Sequence, residues 1–389
     1  MKSDTKVTVY YGPPSWFEEQ LGEGQRRYLL DLLNERDEAR RRIRHTIDGQ
    51  KSSHEEARVR PDCVVAMSSD YASVHEHAIT NFVGLVREVN PKHLILHNPP
   101  ELIHTQLDQV LRTKVEYYTY PVVTRDTLIK FRDGFADHLV GQRSVRERML
   151  AALYPLMNDK RKKPVVLMFY GPSGVGKTET VQFFNELLGG KLMRKQFSMF
   201  HSDKFASYVF GGSHSESSFA RDLLNRSSGV ILIDEFDKAN PVFHSAFYEI
   251  FDEGVFEDKN YRVLLDKTLI ICTSNYRSED EIRKALGDAL YSRFDALIRF
   301  ESLSPDEIKQ VTSRLVDGSF KRLSANDQAM LDKEEIKSLL HVRASSISNV
   351  RKLGKLVDEV ISLKLVRATL NEATDCGAVT FTDQKGAAI

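Results

Sequence analysis

The sequence predicts an α/β chain with a small α/β domain first, then a parallel-sheet domain, then a helical region. Three observations lead there. Short apolar runs alternate with helix-like stretches through the first 130 residues, the pattern of a mostly parallel sheet. In the middle of the chain, fully apolar runs of strand length each end in polar or acidic residues, one of them in a glycine loop. The third is a run of helices expected from 305 to about 366, which rests on the resemblance given below. A chain of 389 residues has room for two or three domains. The expected divisions are 1–130, 131–301 and 302–389.

Composition narrows the class. Hydrophobic residues make up 41% and charged residues 28%, ordinary values for a globular protein. Lys+Arg and Asp+Glu both number 55, so no global charge points to nucleic acid or to a membrane surface. Cys63, Cys272 and Cys376 are scattered and form neither a disulfide framework nor a zinc spacing. The N-terminus lacks the apolar core of a signal peptide, and no apolar run approaches membrane-spanning length. The expectation is a soluble, cytoplasmic protein.

In the first third, 7–11 reads as a strand closed by Gly12-Pro13-Pro14. A long helix is expected over 15–45, with Leu29, Leu30, Leu32 and Leu33 on its apolar face. Arg40, Arg41, Arg42 and Arg44 lie at its end, most simply as a solvated face. A polar loop at 50–56 follows. Strands are expected at 63–67, 94–96 and 115–123, with helices at 73–89, from about 100 to 111, and at 124–136. His75 and His77, two apart on a helix, point to different faces and make no metal pair. No catalytic motif stands in this region, which is read as a recognition domain.

The chemistry is concentrated further on. Residues Met168-Phe169-Tyr170 run into Gly171-Pro172-Ser173-Gly174-Val175-Gly176-Lys177-Thr178, which fills every fixed position of the pattern G-x-x-x-x-G-K-[ST]. The glycines let successive backbone N–H groups turn inward toward phosphate oxygens, and the following helix presents its positive end. Lys177 is expected on the β- and γ-phosphates and the Thr178 hydroxyl on Mg²⁺. The run Gly229-Val230-Ile231-Leu232-Ile233-Asp234-Glu235 delivers two carboxylates at the carboxyl end of a buried strand, where such sheets bind ligands. Asp234 is expected to hold Mg²⁺ through water and Glu235 to polarise the attacking water. A third apolar run, 269–272, ends in Thr273-Ser274-Asn275, whose amide can reach the γ-phosphate.

These segments, with Ser292-Arg293-Phe294-Asp295 after them, resemble the AAA+ ATPases of the Clp/ClpB type, especially their second ATPase module. The resemblance covers roughly residues 139–383. It implies ATP and Mg²⁺ as cofactors, a large ATPase subdomain at 131–301 and a small helical lid at 302–389 with a last strand at 378–381. It implies that Val140 and Gly141 pack on the adenine. Arg293 matches the finger that reaches a neighbouring subunit's ATP, and Arg351 the sensor arginine of the lid, where Asn349-Val350 replaces the family's Gly-Ala. Asn275 matches the first sensor. Tyr208, Val209 and Phe210 stand where the family has a pore loop that grips unfolded protein, and 253–266 reads as a hairpin-like second pore segment. The implied protein is a homo-oligomeric ring, hexameric in the family, that remodels or threads a protein substrate chosen by the N-terminal domain. The alternative is an ATP-driven assembly switch that recruits a partner or binds DNA through Arg40 to Arg44 with Lys191, Arg194 and Lys195.

Overall fold

The computed structural model describes residues 4–44, 60–158, 160–199, 204–238, 241–343, 347 and 349–370. The expected loop at 50–56, Cys376 and the expected strand at 378–381 lie outside them, as do the side chains of Arg40, Arg41, Arg42 and Arg44. The chain divides into two compact units. One is Met1–His138 with Arg143–Tyr170 and Lys177–Arg299; the other is Leu139–Gln142 with Gly171–Gly176 and Phe300–Ile389.

The first unit begins with β1 (Lys6–Tyr11), α1 (Pro14–Gln20), β2 (Arg27–Tyr28) and α2 (Leu29–Arg44). There follow β3 (Cys63–Ala66), α3 (Asp70–Ser73), α4 (Glu76–Thr80), α5 (Phe82–Val89), β4 (His93–His97), α6 (Glu101–Val110), β5 (Thr113–Tyr117) and α7 (Arg125–His138). The five strands form one sheet in the order β2-β3-β4-β1-β5, and every pairing is parallel. Val7, Val9, Val64, Leu94 and Leu96 pack under Phe82, Ile103 and Leu107 on one face. Phe17, Val65 and Ile95 close the other.

Two expected helices are corrected. The one at 15–45 is broken into α1 and α2, because Gly22, at φ +59°, and Gly24 end the first piece, and Arg27–Tyr28 pair with β3. The one at 73–89 is two short helices, α4 and α5, beginning after the end of α3. Val74 and His75 are extended, and Asn81 leaves helical angles before α5. The fourth strand is shorter than expected and stops at Tyr117, ahead of Pro121, which has no N–H to add to a ladder.

His97 ends β4 fully buried, its ring stacked on Phe17 at 4.5 Å and its Nε2 2.9 Å from the Gly12 carbonyl. Burial pulls its pKa down from 6.5 to about 4, with the Gly12 contact acting the other way. Between these values the unfolded chain binds a proton that the folded chain refuses. Stability supplied by neutral His97 is therefore intact above 6.5 and lost as pH falls toward 4, by about 3 kcal/mol. Thermal melts from pH 7 to pH 4 are expected to show a steeper loss in the wild-type chain than in His97→Gln.

The same unit continues with α8 (Arg143–Leu153), β6 (Val165–Tyr170), α9 (Lys177–Leu188), β7 (Met193–Gln196), α10 (Lys204–Phe210), α11 (Phe219–Leu224) and β8 (Val230–Asp234). Next come α12 (Tyr248–Glu253), β9 (Val255–Glu257), β10 (Arg262–Leu264), β11 (Leu269–Thr273), α13 (Glu279–Tyr291) and β12 (Ala296–Arg299). A second parallel sheet runs β12-β6-β11-β8-β7. β6, β8 and β11 are buried at every position, which explains their unbroken apolar sequence. β9 and β10 pair antiparallel, the hairpin expected in 253–266. Polar bonds join the two sheets' surroundings. The Asn98 side chain donates to the Gly12 carbonyl at 2.8 Å and to the Asn225 side chain at 2.9 Å, and Arg221 donates to the Ser68 carbonyl at 3.3 Å.

The second unit is helical: α14 (Pro305–Arg322), α15 (Ala325–Ala329), α16 (Lys333–Arg343) and α17 (Val350–Thr369). Val316, Phe320, Ile336, Leu340, Val357 and Ile361 form its core. Ser304 and Glu307 start α14 with a reciprocal capping box. The fold class is the expected one, an N-terminal α/β sheet, a second parallel sheet and a helical lid.

Candidate nucleotide-binding site

In the first unit the parallel register sets β6, β11 and β8 side by side with their carboxyl ends on one edge: Thr273 lies opposite Phe169, and Cys272 opposite Ile233. Lys177, buried in the first turn of α9, donates from Nζ to the Asn275 side-chain oxygen at 3.3 Å. Thr178 follows it, half-buried. Asp234 ends β8 with both oxygens engaged. One accepts from Arg194, through Nη2 and through Nε at 3.1 Å; the other accepts from the Thr273 hydroxyl. Glu235 takes the left-handed conformation at φ +56°, which turns the chain sharply off the strand. Its N–H donates to Thr273 Oγ1 at 3.0 Å, and its carboxylate accepts from Gln196 at 3.1 Å. Thr273 thus ties both acids to the neighbouring strand.

In the second unit, the Gly171–Gly176 arc is shaped by glycines at φ +126°, +76° and +103°. A Cβ on Gly171 would come within 2.1 Å of the Phe300 carbonyl oxygen, so only glycine fits there. Pro172 and Ser173 are exposed and Val175 is buried. The start of α17 is fastened to this arc: Asn349 donates to the Ser173 carbonyl at 2.9 Å, and the Val350 N–H donates to the Gly174 carbonyl at 2.9 Å. Asn349 also caps α17 by accepting from the Lys352 N–H. Asn349→Ala removes both bonds and is expected to loosen the first turn of α17 by about 1–2 kcal/mol. Amide exchange over 350–356 measures it. Leu139 packs beside Gly176, Val140 joins the cluster of Leu303, Ile308 and Leu353, and Gly141 sits at φ +71° against Glu307.

The donors suit a hard cation. Thr178 and Asp234 offer oxygens only, and among the described residues no group of three or more His, Cys, Asp or Glu forms a metal cage. That set fits Mg²⁺, which keeps waters and leans on phosphate oxygens. Asp234, already held by Arg194 and Thr273, and Thr178 are the residues that would hold such an ion.

Residues 162–322 match the family described as AAA domain (Cdc48 subfamily). The chaperone protein ClpB of Tropheryma whipplei is 25% identical over 60% of this chain and 37% of its own length. The Clp protease ATP-binding subunit ClpC of Staphylococcus saprophyticus is 27% identical over 52% of this chain and 30% of its own. Residues 162–322 thus match an AAA domain, and these two relatives are Clp proteins. The chain spans about a third of the length of those curated relatives. Its fold is that of a closed-state cryo-EM reconstruction of Hsp104 with ATPγS and FITC casein: TM-score 0.56, 18% identity, 79% of this chain and 62% of that one.

The remaining residues expected at the site are placed as follows. Arg293 donates from Nε to Asp252 at 2.7 Å and to the Ala289 carbonyl, with its guanidinium 4.8 Å from the Tyr248 ring centre. Arg351 is exposed in the first turn of α17. The expected gripping loop at Tyr208, Val209 and Phe210 is corrected: it is the end of helix α10. Tyr208 and Val209 are buried in the main core, and only Phe210 is exposed, at 44%. The Tyr208 hydroxyl donates to Asp222 at 2.7 Å, and burial together with that carboxylate pushes its pKa far up. Two of the suggested DNA contacts are also engaged, Arg194 with Asp234 and Lys195 with Asp222.

The roles that Arg194, Gln196, Thr273 and Asn349 take here were not read from the sequence, where Arg194 stood as a DNA contact and Asn349 as a departure from the family's Gly-Ala. Only Asn349 left a local signal, an N-cap residue before a helical run.

Proposed function

We propose that the chain is a ring-forming AAA+ ATPase that couples ATP binding and hydrolysis to the remodelling of a protein. The observation that carries it is the convergence of Lys177, Thr178, Asp234, Glu235 and Asn275 on one strand edge. Lys177 neutralises the β- and γ-phosphates, with Asn275 steering its ammonium. Thr178 and Asp234 would hold Mg²⁺, which when bound would supply charge neutralisation at the phosphates. Glu235 orients and deprotonates the attacking water, and Gln196 fixes the carboxylate that does so. Val140 and Gly141 lie on the adenine side, by the family resemblance. Arg293 gives up Asp252 to reach a neighbouring subunit's ATP, which makes a homo-oligomeric ring, a hexamer by analogy, part of the reading. Arg351 senses the nucleotide from the lid.

The relatives' names, a chaperone and a protease's ATP-binding subunit, favour a protein substrate, which the N-terminal sheet would select. The pairing of Arg194 and Lys195 with acids removes two cations from the DNA-binding alternative. No helix among the described residues is long and apolar enough to cross a membrane, which accords with a cytoplasmic setting. Steady-state ATPase rates with added unfolded protein, or with single- and double-stranded DNA, test the reading. Stimulation by unfolded protein is expected. Stimulation by DNA alone would transfer the function to a nucleic-acid switch.

A further inference from the structure

Beside the carboxyl ends of β1 and β5, a cavity of about 180 Å³ lies between the N-terminal sheet and the β10 strand of the hairpin. Its lining residues come no nearer in sequence to the phosphate loop than Tyr120 and Leu224, and none belongs to that loop. Ligands of parallel α/β sheets sit at this end of the strands.

Its walls differ in chemistry from one end to the other. Arg226 lines it, only 4% exposed. The guanidinium stands 4.0 Å from the centre of the Tyr120 ring and donates to the Leu223 and Leu264 carbonyls at 2.6 and 3.5 Å. Its Nε has no hydrogen-bond partner among the described residues, and no carboxylate there pairs with it. A buried cation without a counter-ion is costly, and an incoming anion removes the cost. Elsewhere the lining turns aromatic. Tyr11 stacks on Tyr117 with ring centres 5.5 Å apart and 19° between planes, and its hydroxyl is 3.1 Å from His104 Nδ1. Tyr117 is 63% exposed and makes no other ring contact among the described residues, so its outer face is open for stacking. Glu101, also lining and exposed, offers a carboxylate acceptor.

We propose that this cavity binds a nucleoside monophosphate, with the phosphate on Arg226, the base stacked on Tyr117 and a base N–H donating to Glu101. Each part of such a ligand meets the group that suits it, anion to buried guanidinium, planar ring to tyrosine, amino or imino edge to carboxylate. The volume lies below that usual for drug-sized ligands, which limits the occupant to a mononucleotide with its base at the open mouth. One wall is β10 of the hairpin that leads into β11.

The test uses the full chain carrying Lys177→Ala, which silences the phosphate loop, and isothermal titration with AMP, GMP, CMP and UMP. One site per chain is expected for at least one of them. Tyr117→Ala and Arg226→Gln are each expected to weaken it about tenfold or more. Tyr117 is at the surface, so its replacement leaves the fold intact even where Arg226→Gln does not. Binding of none of the four would overturn the proposal, as would binding unchanged by Tyr117→Ala. Inorganic phosphate binding as tightly as the nucleotide would also overturn it, by removing the base from recognition.

Discussion

Glu235→Gln is expected to bind Mg²⁺-ATP with nearly wild-type affinity and to hydrolyse it about 10²–10⁴-fold more slowly. The amide keeps the size of the carboxylate and can still contact Gln196, so the fold of the β8 edge survives. What is lost is the basic oxygen beside the water. The Glu235 N–H still donates to Thr273, and Asp234 keeps its bonds to Thr273 and Arg194, so the ion's surroundings are unchanged. Separate measurements of nucleotide binding and phosphate release distinguish this from general damage: binding retained with release lost is the expected pair. Equal loss of both would mean that Glu235 supports the site's structure and not the water.

The second large effect concerns stability. Tyr208→Ala is expected to destabilise the first unit by about 3–5 kcal/mol, the cost of removing a buried aromatic ring. Tyr208 sits 6.0 Å from Phe219, ring centre to ring centre, within the cluster that holds Phe197, Phe247 and Phe256. Tyr208→Phe keeps the ring and loses only the bond to Asp222, which Lys195 still neutralises at 2.5 Å, so a cost nearer 1 kcal/mol is expected. Denaturant unfolding of the two variants checks both. A Tyr208→Ala chain as stable as wild type would place the ring outside the core and restore it as a surface that touches substrate.

That residue also shows where the sequence stopped being readable. Aromatics near the end of a helix look the same on paper whether they face a core or a channel, and only the packing of Phe219 against Tyr208 decides. The parallel strands were legible because burial on both faces leaves an unbroken apolar run, as in 165–170, 230–233 and 269–272. The phosphate loop was legible because its glycines and Lys177 are fixed by local geometry. Helix ends in the first third were less so. Gly22 and Gly24 broke a pattern whose leucines favour continuation, and Asn81 divides two helices with no proline to announce it. The pairs Arg194–Asp234 and Gln196–Glu235 join residues about 40 positions apart on neighbouring strands, a distance that no periodicity encodes. The meeting of Arg226 with Tyr120 spans two segments more than 100 residues apart and became visible only in the folded chain.

Phosphate release from saturating Mg²⁺-ATP by the purified full chain, run beside Lys177→Ala, tests most directly that the Lys177–Asn275 edge is a hydrolytic site. Steady turnover by the wild-type chain and none above background by Lys177→Ala is the expected result. Turnover that survives in Lys177→Ala, or a wild-type chain that binds ATP and never releases phosphate, would contradict it.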